Sequence, residues 1–230
     1  MTKTLITGAN KGLGREAARR LLADGHDVWL AARDHDRGRA AADELGAQFV
    51  ELDVTDDASV AAAADRVAAE GGLDVLVNNA GILGPRKALQ EVTAEDLRVV
   101  FETNLFGIVR VTGAFRPQLE RSANAVIVNV SSGMGSIAVT NDPSRFESTL
   151  TSLAYPSSKA AVNMVTTQYA KAFPQMRINA VDPGYTATDF NGHRGPQTIP
   201  EGAEIIVRLA TIGKDGPTAT YQRSAGIVPW

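Results

Sequence analysis

The stretch TGANKGLG, residues 7–14, decides how the rest of the chain is read. It follows KTLI at positions 3–6, a short apolar run that reads as a strand. It opens GLGREAARRLLADG, where apolar residues recur at helical spacing and Gly25 closes the pattern. A strand entering a helix through glycines points free backbone N–H groups and the positive end of the helix dipole at one spot, which suits an anion such as a pyrophosphate. Gly8, Gly12 and Gly14 allow a tight turn, close approach of the ligand to the backbone and close helix packing, and Asn10, Lys11 and Leu13 complete the loop. The spacing is Gly-x-x-x-Gly-x-Gly rather than the common Gly-x-Gly-x-x-Gly. Glycine content alone fits an empty turn equally well, and the position between an N-terminal strand and a helix favours the binding loop.

Outward from this loop, short β-branched runs alternate with alanine-rich helical stretches. The runs are KTLITG, DVWLAAR, QFVELDV, LDVLVNNA, NAVIVNVSS and RINAVDPG, with a weak seventh near TATYQRS. This alternation predicts an α/β fold with a doubly wound parallel sheet of about seven strands and helices on both faces, in a single domain over residues 1–230. The longest helical stretch runs from the N-cap Thr93 to about Glu120, with Pro117 ending or kinking it. Residues 133–153 and 184–199 lack a clear pattern and each follows a strand. Ligands of open α/β sheets bind beyond the carboxyl ends of the strands, so these two segments are expected to build the substrate pocket.

The second strand ends LAARD, where such folds choose between a carboxylate for a ribose 2′-hydroxyl and a cation for a 2′-phosphate. Arg33 and Lys11 are the cations on offer, and Asp34 is the complication. Two cations converging on one pocket predict NADP(H) in preference to NAD(H). The formal net charge of −3, with both signs interspersed, gives no footprint for nucleic acid or an anionic membrane. There is no cysteine and the three histidines, His26, His35 and His193, are scattered, so no metal is expected. No apolar run approaches the ~20 residues that cross a bilayer, and the first strand starts close to Met1, so the expected location is cytoplasmic.

Of four tyrosines, only Tyr155 has a lysine four positions on. In AYPSSKAA, 154–161, a helix starting near Ala154 would accommodate Pro156 in its first turn and set Tyr155 and Lys159 on one face. A lone pair of this kind is usually a surface feature. Asn104 is a poor helix former in the middle of a helical stretch, which favours a polar role.

TGANKGLG, NNAG at 78–81, TNLFG around Asn104, VNVSS at 128–132, YPSSK at 155–159 and DPGYTAT at 182–188 occur in an order that resembles the short-chain dehydrogenase/reductase family, over most of the chain. The Rossmann-type fold follows from that resemblance. GANKGLG, ARDHDRGRAA and PEGAE look most like the NADP-dependent carbonyl reductases, which act on small carbonyls or alcohols. The resemblance implies that Tyr155 is the general acid or base, Lys159 its partner, Ser132 the hydroxyl that orients the carbonyl, and Asn104 a holder of a relay water. It implies that Asp53 and Val54 border the adenine, that Asn79, Ala80 and Gly81 run along the cofactor, and that Pro183, Gly184, Thr186 and Thr188 close over its nicotinamide end.

A nearby ammonium together with the nicotinium charge of the cofactor would favour phenolate and lower the phenol from its ordinary pKa of ~10. The gap from Ser132 to Tyr155 is long for the family, with VTNDPSRFESTL apparently inserted. Larger insertions there block subunit association in some carbonyl reductases, so a homo-oligomer is left open. The rival reading is a sensor or scaffold that keeps the fold and the nucleotide but not the catalysis. An epimerase on the same fold would need more chain after Pro183.

Overall fold

The computed structural model describes residues 1–230. Its strands β1 (Lys3–Thr7), β2 (Asp27–Ala32), β3 (Gln48–Glu51), β4 (Val75–Asn78), β5 (Val126–Val130), β6 (Arg177–Val181), β7 (Tyr221–Arg223) and β8 (Gly226–Ile227) form one sheet in the order β3-β2-β1-β4-β5-β6-β7-β8. β1 to β7 run parallel, and β8 folds back antiparallel on β7, pairing Gln222 with Ile227. The sheet therefore has one strand more than the sequence predicts. The two residues of β8 are too few to show a period, and the turn at Ser224 and Ala225 lets them pair within the same hairpin.

Alternation along the strands explains the layers. Ile6, Val75, Val77, Val126 and Val128 point to one face, and Leu5, Leu76 and Ile127 to the other, each fully or almost fully buried. The first face is covered by α1 (Gly12–Ala23), α2 (His35–Leu45) and α8 (Ile199–Ala210), and the second by α3 (Asp57–Ala69), α5 (Gly107–Leu119) and α7 (Ala154–Ala172). Sequence order reverses between β1 and β4, whose carboxyl ends open the crevice where a ligand of this fold would lie.

The stretch from Thr93 to Glu120 is one unbroken helical run with a π-helical turn inside it. A capping box between Thr93 and Asp96 starts α4 (Ala94–Phe101), a π-helical turn spans Glu102–Phe106, and α5 follows. The wider turn inserts a residue into the helical count and brings Asn104 inward, fully buried. Pro117 lies in the last turn of α5 without ending it. The two pocket segments are also more ordered than expected: residues 133–153 hold a 3₁₀ turn at Gly133–Gly135, α6 (Ile137–Thr140) and a second 3₁₀ turn at Phe146–Thr149. In 184–199, Thr186 bridges to Gln197 and a 3₁₀ turn covers Asp189–Asn191 before α8 begins.

Candidate active site

The carboxyl ends of β1, β2, β4, β5 and β6 border one cleft of about 1310 Å³. At its floor, Gly8 and Gly12 hold φ values of +63° and +58°, a conformation that favours glycine. Gly14 serves packing, because a Cβ there would lie 2.5 Å from Asn79 Nδ2 and 3.0 Å from Ala9 Cα. Asn79 locks the loop, donating through Nδ2 to the carbonyls of Thr7 at 2.8 Å and Gly8 at 3.2 Å. Asn10, Lys11 and Leu13 line the cleft with Gly8 and Gly12, followed by Arg33, Asp53 and Val54 at one end and Asn79, Ala80 and Gly81 in the middle.

The two charged residues after β2 are in contrasting states. Arg33 is exposed on the cleft wall with no carboxylate paired to it, whereas Asp34 caps α2 by accepting from Arg37 N at 3.0 Å and also pairs with the Arg37 guanidinium. Asp34 therefore does not neutralise Arg33. Lys11 reaches across the mouth to Asp189 at 3.1 Å, and His193 holds the other oxygen of Asp189 at 2.8 Å.

At the far end, α7 presents Tyr155 and Lys159 from one face, with Pro156 in its first turn as the sequence predicts. Lys159 is 3% exposed and donates to Val130 O at 2.7 Å. Its Nζ lies 5.7 Å from the centre of the Tyr155 ring. The two serines part as strand neighbours do: Ser131 turns inward and donates to Asn163 Oδ1 at 2.6 Å, while Ser132 lines the cleft with Tyr155 and its Oγ accepts from Met134 N at 3.3 Å. Pro183, Gly184, Thr186 and Thr188 complete this end of the wall.

The electrostatics differ from the expectation that a nearby ammonium lowers the phenol. Burial pushes Tyr155 up to about 12, against the Ser132 hydrogen bond that favours phenolate and with the Asp182 carboxylate adding to the rise. Burial likewise pushes Lys159 down to about 8. The ammonium is committed to the Val130 carbonyl rather than to the phenol oxygen, so desolvation dominates both groups.

Asn104 sits beside the site instead of lining it. Its Oδ1 accepts from Ile82 N at 2.8 Å, and its Nδ2 donates to Ile82 O at 2.9 Å and Ser158 Oγ at 3.0 Å. Both side-chain donors and one lone pair of the amide oxygen are thus engaged within the protein.

Sequence reasoning left several lining residues unassigned. Asp182, Tyr185, Phe190 and Arg223 border the cleft, and Tyr221 stands behind it with its hydroxyl donating to Ser132 O. The buried Asp182 carried a signal, since an acid at the end of an apolar strand run is unusual. Met134, Phe146 and Leu150 line the cleft, so the insertion is part of its wall. No group of three or more metal-binding side chains occurs, and no helix is long and apolar enough to cross a membrane.

A family model described as short chain dehydrogenase matches residues 2–198. The chain is 38% identical over 226 residues to a short-chain dehydrogenase, anuI, of Penicillium roqueforti, covering 91% of this chain and 88% of that protein. It is 33% identical to the (−)-isopiperitenone reductase of Mentha piperita, with 94% of each chain covered. Among solved structures, the NADPH-bound carbonyl reductase from chicken fatty liver matches with a TM-score of 0.87 at 28% identity, over 100% of this chain and 99% of that one. Six motifs in order, four at strand ends and two on the helices that face them, agree with those likenesses: the chain belongs to the short-chain dehydrogenase/reductase family and is a nicotinamide-nucleotide-dependent oxidoreductase.

Proposed function

We propose that the protein reduces an apolar ketone or aldehyde to its alcohol, preferring NADP(H), with Tyr155 as the proton donor. The observation that carries this reading is the meeting of Tyr155, Ser132 and Lys159 in one cleft that starts at the glycine loop. The residues present fit a dinucleotide. Gly8 and Gly12 offer the backbone of a helix N-terminus, Asp53, Val54, Asn79, Ala80 and Gly81 give a continuous wall, and Pro183, Gly184, Thr186 and Thr188 face them. Arg33, exposed and without a carboxylate, supports a 2′-phosphate, and Lys11 supports it if that phosphate displaces Asp189. The bound nucleotide would supply the hydride.

Tyr155, protonated throughout the neutral range, donates its proton to the carbonyl oxygen as negative charge grows there. Ser132 hydrogen-bonds to the same oxygen, a preorganised contribution of about 3 kcal/mol. Lys159 waits beneath the tyrosine, where its charge favours the phenolate left after transfer. Asn104 holds the segment after Gly81. Phe146 stacks on Tyr185 with centroids 5.5 Å apart, and Phe190 lies 5.8 Å from Tyr155. This aromatic wall favours an apolar substrate and keeps water from the reacting carbonyl. The names of the carbonyl reductase and isopiperitenone reductase relatives support the same substrate class.

Purified protein offered NADPH and NADH with a panel of apolar ketones and aldehydes, followed at the nicotinamide absorbance band, tests this reading. Turnover is expected, with higher kcat/KM for NADPH. Tight NADPH binding without turnover on any carbonyl would point instead to the non-catalytic sensor.

A further inference from the structure

Asp182 is a buried carboxylate to which the chemistry above assigns nothing. It directly follows β6, is 3% exposed, and lies under the root of both pocket segments. Its Oδ1 accepts from Gly184 N at 3.0 Å, which starts the segment after β6. Its Oδ2 faces Gly133, the first residue of the pocket segment 133–153, so closely that a Cβ there would lie 3.1 Å away. The same oxygen meets Arg223 Nη2 from β7 at 3.0 Å, yet it accepts no well-aligned hydrogen bond. Arg223 continues to Glu147 at 3.7 Å, and Glu147 to Arg145 at 3.5 Å. A single carboxylate thus joins the ends of β5 and β6 to the last strands and to the insertion.

We propose that Asp182, held by Arg223, is a positioning residue that keeps Ser132 in register with Tyr155 and sets a carboxylate, paired with Arg223, at that end of the cleft. The groups around Tyr155 are few. Lys159 comes from its own helix, Ser132 from the end of β5, Asp182 from β6, Arg223 and the Tyr221 hydroxyl from β7, and Glu147 and Arg145 from the insertion, while Phe190 contributes only an apolar face. Among them Asp182 is the carboxylate felt by both Tyr155 and Tyr221. Gly133, the residue after Ser132, has the Asp182 and Glu147 carboxylates on the side where a side chain would stand, so the backbone that carries Ser132 runs against both.

The assignment rests on Tyr155 being the proton donor, and its test has a readout that needs no substrate. In the NADP⁺ complex, phenolate absorbance is titrated against pH, with Tyr155→Phe as the blank. Asp182→Asn keeps an acceptor for Gly184 but removes the charge, and should move the Tyr155 midpoint down by about half a pH unit or more. Arg223→Met leaves Asp182 charged and uncompensated in the alkaline range, and should move it up. The alkaline limb of kcat/KM for carbonyl reduction should shift in the same two directions. A midpoint unchanged in whichever of the two variants folds would overturn the assignment, because a merely structural Asp182 would not move it. Absence of turnover on every carbonyl would sink the proposed reaction and leave the titration to judge Asp182 alone.

Discussion

Replacing Lys159 with methionine should stabilise the protein at neutral pH while removing its activity. The lysine is 3% exposed, and burial lowers its ammonium from 10.5 to about 8. Below pH 8 both the folded and unfolded chains carry this proton, and the folded chain holds a charge it solvates poorly. A displacement from 10.5 to about 8, at about 1.4 kcal/mol per unit, sets that penalty near 3 kcal/mol. Between those two pH values the unfolded chain binds more protons than the folded one, so wild-type stability gains from this group as pH rises, and above 10.5 the penalty is gone. Methionine fills similar volume but forfeits the bond to Val130 O, worth about 1 kcal/mol. The net expectation is a gain of about 2 kcal/mol at pH 7. Urea unfolding of both proteins across the neutral and alkaline range measures it. The advantage of Lys159→Met should shrink as pH rises through 8 and reverse between about 9 and 10, leaving the variant less stable by about 1 kcal/mol once the penalty is gone. A variant less stable than wild type at pH 7, or a difference independent of pH, would refute the reasoning.

The two serines should separate cleanly. Ser132→Ala should lose about a hundredfold in kcat with little change in stability, whereas Ser131→Ala strands Asn163 Oδ1 and should cost about 1–3 kcal/mol in unfolding free energy. Arg33→Ala should raise the Kd for NADPH about tenfold, in keeping with a charged hydrogen bond worth about 1.5–3 kcal/mol, and leave the weaker NADH affinity unchanged by fluorescence titration. Gly14→Ala forces a methyl against Asn79 Nδ2 and Ala9 Cα, and should abolish NADPH binding in a chain that still folds, as read by circular dichroism and calorimetric titration.

The sheet was legible because its strands are buried on both faces and announce themselves as apolar runs. The site was legible because its residues sit at strand ends or at helical spacing, and because six short motifs keep one order. What escaped has physical reasons. A π turn is invisible to a 3.6-residue period, so the inward turn of Asn104 could be suspected only from its poor propensity. The two residues of β8 are shorter than any period. The capture of Lys11 by Asp189 joins residues 178 positions apart. The Tyr155 phenol rises rather than falls because the sequence shows a cation four residues away but not the carbonyl that cation serves or the depth at which both lie. Asp182 stands out in sequence only as an acid after an apolar run, and its partners appear when the fold brings Arg223 and Gly133 to it.

The most direct measurement pairs Tyr155→Phe with wild type in two assays on one preparation, NADPH binding by fluorescence and single-turnover reduction of a carbonyl accepted by the wild type. If the phenol gives the proton, NADPH affinity stays within a factor of about two while the hydride-transfer rate falls by about 10² to 10⁴. A variant that binds NADPH and reduces the carbonyl at the wild-type rate would contradict the account.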